Sequence, residues 1–204
     1  VLFHNGEFQK AAEAGAKASL EGVDFGVLER TPGVGGQVLR LNTAGGAVND
    51  LLLPLFGAHM AHNAALAVAA VEAFLGGKPL SPEIVTEGLA SVVAPARLEV
   101  VHRAPTVVLD TAHNPHGVRA TLDGVEEAFG FDPLIGVVAM MRDKDADALL
   151  SQCAEAMSRV VLTTVQSTDR AYAPDELSEL AEDAFGPDRV ETAPSMADAI
   201  DRAI

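Results

Sequence analysis

The chain has 204 residues, 49% of them hydrophobic and 21% charged, with a formal net charge of −15 and a single cysteine. That composition excludes a disordered chain and suits one large domain or two compact ones. The acidity repels phosphodiester backbones, so no nucleic-acid partner is expected, although one nucleotide needs only a few local cations and helix N-termini. The lone Cys153 allows no intramolecular disulfide, fits a reducing, cytoplasmic setting and reads as a small buried hydrophobe.

No apolar run reaches the roughly eighteen residues of a membrane span, so no membrane partner is expected. Val1-Leu-Phe-His4 lacks the basic start and apolar core of a signal peptide. A start at Val rather than Met hints at a longer protein.

In chain order, the Ala-rich stretch Glu7–Leu20 reads as a helix. Three strand runs follow, Val23–Leu28, Gln37–Leu41 and Val48–Leu53, separated by Thr31-Pro-Gly-Val-Gly-Gly36 and Thr43-Ala-Gly-Gly46. Both separators are turn signals, so an antiparallel meander is expected. Gly33-Val-Gly-Gly36 opens no helix, which makes it a hairpin turn and not a phosphate loop. Gly57–Leu75 reads as one long buried helix closed by Gly76-Gly77. A second helix starts at Ser81-Pro82, with Ser as its cap, and ends near Val93.

Ala94-Pro-Ala-Arg97 breaks the pattern and marks a linker between residues 1–93 and 98–204. Strands and helices alternate beyond it. Thr106–Asp110 is a strand, and Asn114-Pro115 opens a helix with Val118, Leu122, Val125 and Phe129 on one face. Leu134–Met141 is apolar enough for a strand buried on both faces. A helix carrying Leu149, Leu150, Cys153 and Met157 comes next, then a strand over Val160–Val165. A helix over Pro174–Phe185, a strand over Arg189–Thr192 and a last helix capped by Ser195 complete the chain. Repeated βα units predict an α/β fold, with a parallel sheet and helices on both faces. Ligands of such folds sit at the carboxyl ends of strands, here the loops after Leu109, Met141 and Val165.

Those loops hold the polar side chains. Asp110-Thr-Ala-His113-Asn114-Pro-His116 offers a carboxylate, two imidazoles and an amide at a helix start. The same residues suit a cap and an Asx loop, so substrate orientation and local structure are equally open. Asp110, His113 and His116 lack a fourth ligand or a metal-site spacing, and no metal is assigned to them. Met141-Arg-Asp-Lys144-Asp145 sets Lys144 where an anionic ligand would lie, or merely starts a helix. His59, His62 and Asn63 stand on an otherwise apolar helix, and His59 and Asn63 share a face. An adenine ring would satisfy them if they are buried; so would local capping. The chain has neither Gly-x-x-x-x-Gly-Lys-[Ser/Thr] nor Gly-x-Gly-x-x-Gly.

Four strings in this order carry a resemblance: Leu53-Pro-Leu-Phe-Gly-Ala-His-Met-Ala-His-Asn-Ala-Ala65, Pro95-Ala-Arg97-Leu-Glu99, Leu109-Asp-Thr-Ala-His-Asn-Pro115 and Asp143-Lys-Asp145. The chain resembles the dihydrofolate/folylpolyglutamate synthases of the Mur ligase superfamily over essentially its whole length. The resemblance implies that residues 1–93 are the tail of a central ATPase domain and 98–204 a Rossmann-like C-terminal domain that stops before its last strand. It implies ATP-dependent ligation of L-glutamate to a pteroate or folate through an acyl phosphate. Magnesium ligands and the phosphate loop would lie in a missing N-terminal part, and the enzyme would be a monomer acting on small molecules. Among residues, it implies that Asn63, with His59 beside it, contacts adenine, that Arg97 reaches the ATP phosphates and that Asp110 holds the ribose. His113 and Lys144 would lie near the glutamate or acyl-phosphate site, with Asn114 and Asp145 on the substrate. Met60, Ala96 and Thr111 depart from the Gln, Gly and Gly common at those places. A muramyl amino-acid ligase of the same superfamily and a non-catalytic nucleotide-binding or docking module are the competing expectations.

Overall fold

A computed structural model of the chain describes residues 13–204. Val1–His4 and the first half of the helix expected over Glu7–Leu20 lie outside them. Within the described half, only Glu13 is helical. Gly15 turns the chain at φ +66°, and residues 16–20 have no regular structure, so the helix does not run to Leu20. The chain divides into two compact units that meet in sequence at Arg97 and Leu98.

In the first unit, β1 (Gly26–Gly33), β2 (Gly36–Thr43) and β3 (Gly46–Leu53) form the expected antiparallel meander. β1 extends through Thr31-Pro32, where a turn was expected, because Thr31 and Pro32 pair with Val38 and Gln37. Only Val34-Gly35 is left to turn the chain, which is the length of a tight hairpin. Gly36 sits at φ +147°, and a Cβ there would lie 2.3 Å from the Leu53 carbonyl oxygen, so no other residue fits. Along β2, Gln37, Leu39, Leu41 and Thr43 alternate inward, the period of a strand with one covered face.

Helices α1 (Ala58–Phe74) and α2 (Pro82–Ala90) cover that face. Met60, Ala61, Ala64, Ala65 and Val68 of α1, and Val85 and Leu89 of α2, close over Leu39, Leu41, Leu51 and Leu53. Each fully buried leucine contributes about 2 kcal/mol from removal of apolar surface alone. The Ser81 hydroxyl caps α2 by accepting the Ile84 amide.

The second unit opens on a hairpin of β4 (Glu99–Arg103) and β5 (Thr106–Leu109), which pair antiparallel. The parallel sheet is β6 (Ile135–Val138), β7 (Arg159–Leu162) and β8 (Val190–Thr192), in that order. β5 was expected within it; its ladder goes instead to β4, because a two-residue turn at Ala104-Pro105 brings that neighbour first. Helices α3 (Pro115–Phe129), α4 (Ala146–Ala156), α5 (Pro174–Phe185) and α6 (Met196–Ala203) complete the unit. On the central strand, Val160 and Leu162 point to a core with α4 and α5, and Val161 to a second core with α6. Helices thus lie on both faces, as the alternating pattern requires.

The run Leu134–Met141 is a strand only over its first half. Val138 is the last residue to accept a bond from the β7 side, from the Thr163 amide at 2.9 Å. Then the chain changes partners: Tyr172 donates its amide to Met140 and Arg142 donates to Arg170, with Met141 bridged antiparallel to Ala171. β7 likewise ends at Leu162, short of Val165. At Gly136 a Cβ would meet Met157 Sδ at 2.3 Å, so glycine there lets the end of α4 close on the sheet.

Candidate functional site

The β5–α3 loop is built around Asp110. Its Oδ2 accepts the Leu98 amide at 3.0 Å, and its Oδ1 accepts the Ala112 amide at 2.7 Å and the Thr121 hydroxyl at 2.9 Å. One carboxylate thereby joins the start of the unit, the loop and the second turn of α3. Of the roughly four lone-pair sites on a carboxylate, three are used and one remains for a ligand. Thr121 lies on the inner face of α3 beside Leu122, and a hydroxyl there needs a partner, a signal that sequence reading passed over.

His113 stands exposed in the same loop, with Nδ1 3.0 Å from the Thr111 carbonyl oxygen. A carbonyl only accepts, so Nδ1 is the donor in this bond, and Nε2 is left to a group outside the loop. Asn114 caps α3, its Oδ1 accepting the Gly117 amide at 2.8 Å, and its NH2 group is left to a ligand. His116 is exposed on the first turn of α3.

The β6–α4 loop carries Lys144 and Asp145. Asp145 caps α4 through the Ala148 amide at 3.1 Å. Lys144 Nζ is 3.2 Å from Asp143 Oδ2, and that hydrogen bond is the main cause holding the Asp143 carboxyl below its usual range. Glu176 is also held low, first by its bond from Arg142 and next by the Ala173 amide. The Arg142 guanidinium lies 5.2 Å from the centre of the Tyr172 ring, a cation–π contact that ties the 170–172 segment to this loop.

In the first unit, the condition of burial under which the α1 polar groups would need partners is not met for two of the three. His62 and Asn63 are exposed, because they stand on the outward side of the second turn of α1. His62 pairs with Glu21, and Asn63 Nδ2 lies 3.9 Å from Met60 Sδ. His59 is half-buried. The Asn63 amide therefore faces solution, free to meet a planar ring. Arg97 is half-buried and makes no hydrogen bond or ion pair among the described residues. Both its neighbours hold left-handed backbone, Ala96 at φ +55° and Leu98 at φ +47°. Such residues cost on the order of 1 kcal/mol or more each and persist where the surroundings demand them. Among the described residues, no three His, Cys, Asp or Glu side chains come together to hold a metal ion. No helix there is long and apolar enough to cross a membrane.

Residues 96–204 match the family described as Mur ligase, glutamate ligase domain. The chain is 43% identical to a dihydrofolate synthase/folylpolyglutamate synthase of Mycobacterium tuberculosis over 197 residues, 95% of this chain and 40% of that protein. It superposes on the structure of a folylpolyglutamate synthase of M. tuberculosis complexed with ADP, with a TM-score of 0.92 over 96% of this chain and 43% of that one. The E. coli FolC structure in complex with DHPP and ADP matches at 25% identity, with a TM-score of 0.79, over 96% and 43% of the two chains. The chain thus spans about two fifths of the relatives it matches.

Proposed function

This chain belongs to the Mur ligase family, through its glutamate ligase domain, and from that premise we propose that it is the C-terminal part of an ATP-dependent enzyme joining L-glutamate to dihydropteroate, tetrahydrofolate or both. The observation that carries the proposal is Arg97, a cation without a hydrogen-bond or ion-pair partner among the described residues and held between two strained residues. A guanidinium kept unpaired at such a conformational cost suits an anion brought by a ligand, and a nucleotide phosphate has the right charge and fork geometry.

In the proposed reaction, the γ-phosphoryl of ATP passes to a carboxylate of the pterin substrate, giving an acyl phosphate and ADP. The glutamate amine then attacks the acyl carbon and inorganic phosphate leaves. Phosphoryl transfer depends chiefly on positioning and charge neutralisation, the part given to Arg97. The outward amide of Asn63, beside His59, meets the adenine edge, and the free lone pair of Asp110 accepts a ribose hydroxyl. Nε2 of His113 takes the proton from the attacking amine. Asn114 and Asp145 serve substrate only through the atoms their caps leave unused, Nδ2 and Oδ2. Magnesium would neutralise the phosphates when bound, and its ligands are assigned to sequence outside this chain. The enzyme is proposed as a cytoplasmic monomer, a setting that suits its one buried thiol.

The test is glutamate-dependent ADP release by the full-length protein, offered dihydropteroate and then tetrahydrofolate, beside its Arg97→Ala variant. Turnover is expected with at least one pterin, falling about a hundredfold in the variant as a transition-state charge contact is lost. No ADP with either pterin would overturn the proposal, and release with a muramyl substrate would replace it.

A further inference from the structure

Residues 170–172 run antiparallel to 140–142, held by the Tyr172 to Met140 bond at 3.0 Å and the Arg142 to Arg170 bond at 2.9 Å. That pairing brings Arg170, from a distant part of the sequence, to the end of the β6–α4 loop. Arg170 Nη2 lies 3.5 Å from Asp143 Oδ2, and Lys144 Nζ lies 3.2 Å from the same oxygen. Arg142 differs from both: its charge is met by Glu176 and its plane by Tyr172, so it is committed to holding the segment.

Two cations therefore converge on one carboxylate oxygen, and neither has a second ion-pair partner among the described residues. The Arg170 side chain is 71% exposed, so its remaining donors face solution. In a chain of net charge −15, a pair of cations facing a single shared carboxylate beyond the carboxyl end of a parallel strand is where an anionic substrate group would be drawn. The donors also differ usefully. A guanidinium fork takes a carboxylate edge-on, while an ammonium serves as a point charge that follows it.

We propose that Arg170, acting with Lys144, binds a carboxylate of the incoming glutamate, and that Asp143 holds the two cations together before it arrives. This rests on the ligase function proposed above and adds a residue to it. The substrate carboxylate is met by the donors of the two cations that Asp143 leaves unused. Because Arg170 touches neither the amine nor the phosphoryl group, its contribution falls on glutamate affinity and not on the chemical step.

The experiment is steady-state ADP release by the full-length protein with glutamate varied at saturating ATP and pterin, comparing Arg170→Ala with the parent. Expected is a glutamate KM raised about tenfold or more, as a charge-assisted bond to substrate is lost. The kcat stays within about twofold, and the KM for ATP is unchanged. Arg170→Gln, which keeps length and polarity, gives the same KM shift and carries the test if the alanine variant fails to fold. An unchanged glutamate KM, or a loss confined to kcat, overturns the assignment. If the parent itself shows no glutamate-dependent turnover, the ligase function has failed, and this assignment with it; an active parent with indifferent variants sinks the assignment alone.

Discussion

The two units treat polar groups in opposite ways. The first buries them: Gln37, Thr43 and Glu72 are at most 5% exposed, and they tie loops together from inside. Gln37 donates to the Leu55 and Gly57 carbonyls at the entrance to α1. Glu72, near the other end of α1, accepts the Ala44 amide with one oxygen and the Leu80 amide with the other, both at 3.0 Å. In the second unit the interior of the sheet is nearly all apolar, with Cys153 as its buried thiol and Thr163 as its buried polar side chain. Its carboxylates Asp110, Asp143 and Asp145 stand at strand ends, partly open to water. A carboxylate that collects amides in the interior stabilises the fold; one that does so at a strand end positions a loop and keeps atoms for a ligand. The contrast explains why α1 tolerates a carboxylate among alanines.

The largest expected effect breaks the anchor of the first unit. Glu72→Ala leaves two amides without their charged acceptor and should cost about 3–4 kcal/mol, read as a lower urea midpoint. A loss below about 1 kcal/mol would show that water replaces the carboxylate, and the contrast between the units would fail. The next tests the apolar interior of the second. Burial pushes the Cys153 thiol up from 9.0 to about 11, so the folded chain keeps it neutral where the unfolded chain ionises it. The sign follows: this contribution is fully present below pH 9 and is lost as pH rises towards 11, roughly 2–3 kcal/mol in all. Urea unfolding of Cys153→Ala should show that part of the alkaline slope removed, and an unchanged slope would mean that the thiol is hydrated. The smallest effect sharpens the comparison. Thr121→Val removes one bond to Asp110 and should cost only about 1 kcal/mol. A loss as great as that of Glu72→Ala would make Asp110 a fold anchor of the same kind.

Whatever is short-range in this protein could be read from its residues. Ser81, Asn114 and Ser195 cap the helices they announce, because a cap bonds an amide only three residues ahead. The meander followed from its glycine turns, and the parallel sheet from apolar strands alternating with amphipathic helices. Contacts between distant segments were decided only by the tertiary structure. β5 pairs with β4, which sequence reading passed over, because alternation alone does not say which edge a strand will join. Whether Asn63 is buried was left open by the sequence, and the structure exposes it, because an apolar helix can still turn its first polar residues outward. Ala96, noted as a departure from glycine, proved to sit in the left-handed region that glycine favours. Arg170 gave no signal at all. Its place beside Lys144 depends on two backbone bonds between 140–142 and 170–172, and backbone bonds are available to any residue, so no side-chain pattern marks them in advance.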